Sequence, residues 1–137
     1  VNLIEFDEEY KYETAKELVL NSVKPLGEEY TNKMKNALSN GWIDVFETKG
    51  KRSGAYSAGV YGVHPYMLLN YNNTLDSIFT LAHELGHAVY EYMSSKNQSY
   101  FNSNPSIFTH EVASTTNEAL LYEFLIKNAG NDNIFVL

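Results

Sequence analysis

The chain contains no cysteine. That excludes a disulfide framework, a thiolate metal site and a cysteine nucleophile, and it is compatible with the cytoplasm. Proline is scarce, with 3 residues against 14% aromatic side chains, so disordered, collagen-like and mucin-like classes are excluded. Basic residues are in the minority: 10 Lys and Arg stand against 17 Asp and Glu, for a net charge of -7. Phosphate contacts need clustered cations, so no nucleic-acid or anionic-membrane partner is expected. No apolar run approaches the length of about 18 residues that a membrane span requires. The opening VNLIEFDEEY has no basic region ahead of an apolar stretch, so it is not expected to be a signal peptide.

What is present suits one folded unit. A chain of 137 residues with 44% hydrophobic and 20% charged residues has the composition of an ordinary globular domain. It can bury about two-thirds of its unfolded surface. The sequence starts at Val1 and stops in the apolar run Ile134-Phe135-Val136-Leu137, so both ends are expected to be cut from a longer chain.

The expected fold is α+β and mostly helical, with a small sheet. Apolar spacing predicts helices over Glu13 to Val23, broken by Pro25 and Gly27, and over Glu28 to Leu38. Trp42 to Phe46 and Tyr66 to Tyr71 read as strands. Between them, Lys49 to Gly62 holds four glycines. They are read as turns between short strands or as a mobile flap, and Lys49, Lys51 and Arg52 as a solvated basic face. The clearest element starts at an N-cap on Asn73 or Thr74 and runs to between Ser94 and Asn97. Its apolar stripe is Leu75, Ile78, Phe79, Ala82, Leu85, Gly86, Val89 and Met93. A second strong helix is predicted from Ile107 to Asn128, ended by Gly130.

The long helix carries His83-Glu84-Leu85-Gly86-His87, an HExxH pattern. Residues four apart on a helix point the same way, so two imidazoles can reach one tetrahedral metal. Glu84 sits about 100° around the helix from His83, beside the metal rather than on it, where a carboxylate can serve as general base. A catalytic zinc site needs a third protein ligand. Position 93 is Met, which removes the metzincin option, and Glu91 lies a full helical turn past His87, out of easy reach. That leaves the Ile107 helix, where Glu111, Ser114, Thr115 and Glu118 form a polar stripe. Glu111 is favoured as ligand, with His110 as a less favoured substitute. Glu118 is either a partner accepting a bond from a ligand imidazole or a solvent-facing glutamate. His64, ahead of Pro65, either lines a substrate groove or packs in a loop. A histidine pair on a helix surface, with no metal, is the plain alternative.

Four blocks in order extend the pattern: GKRSGAYS from Gly50, YGVHPYMLLN from Tyr61, FTLAHELGH from Phe79 and FTHEVASTTNE from Phe108. Together they closely resemble oligoendopeptidase F, a family of zinc metallopeptidases related to thimet oligopeptidase. The resemblance runs from the Ala15 helix to Gly130. It implies a zincin-like core in which His83, His87 and Glu111 bind Zn2+ and Glu84 is the catalytic base. It implies oligopeptide substrates that pair with an edge strand near Tyr66 to Asn70, with Tyr66, Leu68 and Asn70 as substrate-binding residues and His64 beside them. It implies that residues 1–137 are a single piece of a longer catalytic domain, whose carbonyl-polarising tyrosine and histidine lie beyond Leu137. A zinc-stabilised peptide-binding module without turnover is the alternative that follows. The chain departs from the family pattern at Tyr90, where members often carry His. Oligomeric state and peptide preference are not legible.

Overall fold

The computed structural model describes residues 9–104 and 106–128. Gly130 and the apolar run from Ile134 to Leu137 lie outside the described residues. Among the described residues the chain forms four α-helices and a three-stranded sheet. In chain order these are α1 (Tyr12–Ser22), α2 (Glu28–Ser39), β1 (Ile43–Phe46), β2 (Tyr56–Ala58), β3 (Tyr66–Tyr71), α3 (Leu75–Asn97) and α4 (Ile107–Asn128). The α+β, mostly helical expectation holds.

The helices form for local reasons and stay for packing reasons. Thr74 caps α3 by accepting the backbone N–H of Ser77, and Asp76 sits in the first turn, where the helix dipole favours an acid. The predicted apolar stripe of α3 is the centre of the core: Ile78, Ala82, Leu85 and Val89 are fully buried, joined by Leu81 and Ala88. They meet Leu121 and Leu125 of α4, Val19 of α1, Met34 and Ala37 of α2, and Met67 and Leu69 of β3. Each large aliphatic side chain buried this way stabilises the fold by about 1.5–3 kcal/mol, so α3 is the element that the others are assembled on.

The closest joint is between α3 and α4. At Gly86 an added Cβ would stand 2.6 Å from the Ser114 Cα and 3.0 Å from the Ala113 carbonyl oxygen. Only a residue without a side chain lets the two backbones approach this far. The glycine of the HExxH pattern therefore sets the spacing between the two helices that carry the polar stripe.

The sheet corrects one expectation. Its order is β1-β3-β2, so β3 is the central strand and not an edge. On one side Met67 and Leu68 pair in parallel with Ile43 and Asp44; on the other, Leu68, Met67 and Tyr66 pair antiparallel with Tyr56, Ser57 and Ala58. The backbone groups that a peptide would need are already in ladders. Strand alternation adds a second reason. Met67, Leu69 and Tyr71 are buried against the core, which leaves Tyr66, Leu68 and Asn70 on the opposite face, away from α3.

The glycine-rich stretch is tied down on its first half. Lys51, expected on a solvated face, turns inward with only 4% of its side chain exposed. Its ammonium donates to the Asp44 and Phe46 carbonyl oxygens at 3.1 and 2.7 Å and pairs with the Asp44 carboxylate at 3.1 Å. Both carbonyls lie on β1, on either side of the register shift between Asp44 and Phe46, and they satisfy an ammonium that is otherwise shielded from water. From the other side, the Asn70 amide donates to the carbonyls of Arg52 and Gly54 at 3.0 and 2.8 Å. Lys49 and Arg52 remain exposed as expected.

Candidate metal centre

One turn of α3 places the His83 and His87 rings 4.6 Å apart at 90° to each other. Across the close joint, α4 brings in Glu111. Its Oε2 lies 3.6 Å from His83 Nε2 and its Oε1 lies 3.8 Å from His87 Nε2. One donor atom from each of the three residues falls within 4.8 Å of the others. Ligand atoms around a tetrahedral ion with bonds near 2 Å are separated by about 3.3 Å. The three donors are gathered near that spacing, and two imidazoles with one carboxylate are a set that suits zinc.

The ligands are oriented by neighbours. His83 Nδ1 meets the Glu118 carboxylate, which fixes the ring and leaves Nε2 turned towards Glu111. Glu111 accepts a hydrogen bond from the Ser114 hydroxyl at 3.0 Å on its Oε2. Burial lowers the pKa of His87, as do the neighbouring His83 and His110 rings, against the opposing pull of Glu111 and the His110 backbone. Its neutral form is favoured, and the neutral form is the one that binds metal.

Glu84 stands on the inner side of α3 and is 7% exposed. Its Oε2 is buried and has no hydrogen-bond partner among the described residues. Burial pushes its carboxyl up, His83 draws it back, and the charges of Glu111 and Glu91 push it up again. A buried carboxylate with an uncommitted oxygen and a raised pKa holds and releases a proton readily.

The structure therefore gathers five of the residues singled out in the sequence, His83, Glu84, His87, Glu111 and Glu118, into one cluster. It does not bring the others there. Tyr66, Leu68 and Asn70 lie on the far face of the sheet. The half-buried His64 ring stacks on Trp42 with centroids 5.0 Å apart and packs on Tyr66 at 4.6 Å, and its Nδ1 lies 2.8 Å from the Pro65 carbonyl. His110 is turned aside, its Nε2 3.3 Å from Glu91.

Sequence reading missed Asn117 and misassigned Thr115. Thr115 is exposed, whereas Asn117 is fully buried one turn past Ser114. Its amide donates to the Ala82 carbonyl at 3.1 Å, just ahead of His83, and its oxygen accepts from the Tyr30 hydroxyl at 2.9 Å. The signal was available: Ser114 and Asn117 share a face with Leu121 and Leu125, and polar residues on an apolar face need partners.

Comparison with known proteins places this arrangement in context. The model of peptidase family M3 matches residues 2–133. The oligopeptidase PepF of Bacillus subtilis is 55% identical over 117 residues, covering 85% of this chain and 18% of that protein. An oligoendopeptidase F homologue of Borreliella burgdorferi is 47% identical over 124 residues, covering 89% of this chain and 21% of its own length. Among solved structures, a candidate peptidase from Chlamydophila abortus superposes with a TM-score of 0.85 at 43% identity, over 88% of this chain and 20% of that one. The chain thus spans about a fifth of the length of the curated relatives it matches.

Proposed function

The chain belongs to peptidase family M3, and from that premise we propose that it supplies the zinc centre of an oligopeptidase that hydrolyses peptide bonds in short peptides. The observation that carries the reading is the meeting of His83, His87 and Glu111 donor atoms within 4.8 Å beside a buried Glu84 carboxylate. Residues 1–137 form, in this reading, one unit of a longer catalytic domain in the cytoplasm.

His83, His87 and Glu111 would hold the ion. Zinc in such a site supplies Lewis acidity, which polarises a carbonyl oxygen and makes a water acidic near neutral pH. The proton work belongs to Glu84. Its free Oε2 takes a proton from the attacking water as the new C–O bond forms at the scissile carbon. As the C–N bond breaks, the same oxygen returns that proton to the departing amine. The raised pKa of Glu84 suits both halves of this exchange, because the acid form is accessible without being fixed. Glu118 keeps His83 aimed, and Ser114 restrains Glu111.

Substrate seating moves from β3 to β2. The outer edge of β2 has no strand partner among the described residues, and a peptide can add to it as a further strand. A cavity of about 640 Å³ lined by Gly59, Tyr61, Pro65, Glu91 and Phe101 adjoins the end of that strand and offers space for a side chain.

The test is Glu84→Gln assayed on a fluorogenic oligopeptide with zinc content measured in parallel. Loss of hydrolysis with zinc retained is expected, and full activity in the variant would sink the assignment. Because the chain spans a fifth of its relatives, a second reading is binding without turnover. It is favoured if labelled peptide binds the wild-type chain and is recovered uncut.

A further inference from the structure

His83 and His87 are one helical turn apart and are held in different ways. His83 has a hydrogen-bonding carboxylate on Nδ1, from Glu118. The Nδ1 of His87 is buried and makes no hydrogen bond of ordinary geometry among the described residues, although the His110 backbone is close enough to act on the ring. Metal-binding imidazoles nearly always have a partner on the second nitrogen, because that bond fixes ring rotation and tautomer. An imidazole without one needs another restraint.

A flat face supplies it here. The His110 ring stacks on His87 with centroids 4.9 Å apart and planes inclined by 23°. His110 does not slide freely. Its Nε2 lies 3.3 Å from Glu91 Oε1, and the Tyr90 ring meets it edge-on at 5.7 Å. Glu91 is itself anchored: the Ser57 hydroxyl donates to its Oε2 at 3.2 Å, and the Gly59 backbone is close enough to act on the same carboxylate. An added Cβ at Gly59 would stand 2.8 Å from Oε2, so the chain after β2 passes close against this carboxylate. A continuous path of contacts thus runs from β2 through Glu91 and His110 to His87. Both His110 and Glu91 are mostly buried, with side chains 21% and 15% exposed, which confines the rings to this arrangement.

We propose that His110, held in place by Glu91, is a positioning residue that fixes the His87 ring by stacking, where no side-chain partner holds its Nδ1. The proposal rests on the metal-centre reading and adds a role for two residues outside the ligand set. It explains why His110 is mostly buried one residue before Glu111 and turned away from the donor cluster.

The experiment measures zinc affinity of the full chain by competition with a chromogenic chelator and the visible spectrum of its cobalt form. His110→Ala is expected to weaken zinc about tenfold, the scale for neighbours that orient ligands, and to shift the cobalt bands. His110→Phe, which keeps a flat ring, is expected to restore both. His110→Leu, of similar bulk without a flat ring, is not. Glu91→Ala should move affinity in the same direction as His110→Ala and add little to it in the double variant. Wild-type affinity and spectrum in His110→Ala overturn the proposal. So does equal rescue by Leu and Phe, which would make the position ordinary packing. A wild-type chain that takes up neither metal overturns the metal-centre reading along with it, whereas normal uptake that is indifferent to His110 overturns the stacking role alone.

Discussion

Replacing Gly86 with Ala tests whether the α3–α4 joint sets the metal geometry. In an unobstructed helix the change would stabilise by about 1 kcal/mol, because Ala loses less backbone freedom. Here the new methyl would stand 2.6 Å from Ser114 Cα, about 0.8 Å short of the 3.4 Å at which ordinary contact begins. The obstacle is backbone, so no side chain can swing away and the helices must part. Overpacking of this kind costs about 1–3 kcal/mol, so the helix gain is cancelled or outweighed. The larger effect falls on the ligands. Glu111 is on α4 and the histidines are on α3, and metal–ligand distances tolerate only about 0.2 Å. A separation of that order should weaken zinc at least tenfold, or about 1.4 kcal/mol. Urea denaturation of the metal-free chain reads the first quantity and chelator competition the second. A variant that is more stable by about 1 kcal/mol and binds zinc like wild type would mean that Gly86 does not set the ligand spacing.

Other outcomes follow from the same structure. Zinc at a hundred times its Kd should raise stability by about 2.7 kcal/mol, seen as a rise in melting temperature that EDTA reverses and His87→Ala lacks. Asn117→Leu should cost about 1–3 kcal/mol in denaturation, since the Tyr30 hydroxyl loses its acceptor; adding Tyr30→Phe should recover part of that, and no recovery would deny the pairing. Burial pushes Tyr71 up to about 12, and its hydroxyl donates to the Tyr10 carbonyl at 2.6 Å. A folded pKa above the unfolded value of about 10 means the native state keeps the proton longer. The stability contribution is therefore whole below pH 10 and is lost as pH rises towards 12. Tyr71→Phe should flatten the alkaline limb of a stability–pH curve, although Tyr12, also raised to about 12, will retain some of it.

The sequence carried more of the helices than of the sheet, for physical reasons. The period of α3 is long and strong, its N-cap is a threonine with an acid behind it, and its limits came within a residue or two. β3 was legible as a strand but not as the central one. Strand order is fixed by pairing with residues far away in sequence, and a run as apolar as YMLLNY does not declare which face is buried. That single ambiguity displaced the expected substrate contacts at Tyr66, Leu68 and Asn70. Lys51 was hidden for a related reason. A basic cluster looks solvated in sequence, and only the fold brings the Asp44 and Phe46 carbonyls within reach of one of its lysines. In the cluster itself, helical spacing pointed to the Glu111–Ser114–Glu118 side of α4 but put Thr115 on it in place of Asn117. The depth of the α3–α4 approach at Gly86 and the seam residue Asn117 needed the packed structure, because both depend on how two distant helices fit together.

Mass-spectrometric metal content of the purified chain, alongside His83→Ala, decides whether one ion is held by His83, His87 and Glu111. About one zinc per chain, lost in the variant, is the expected result. No zinc after supplementation, or zinc that survives His83→Ala, would contradict it.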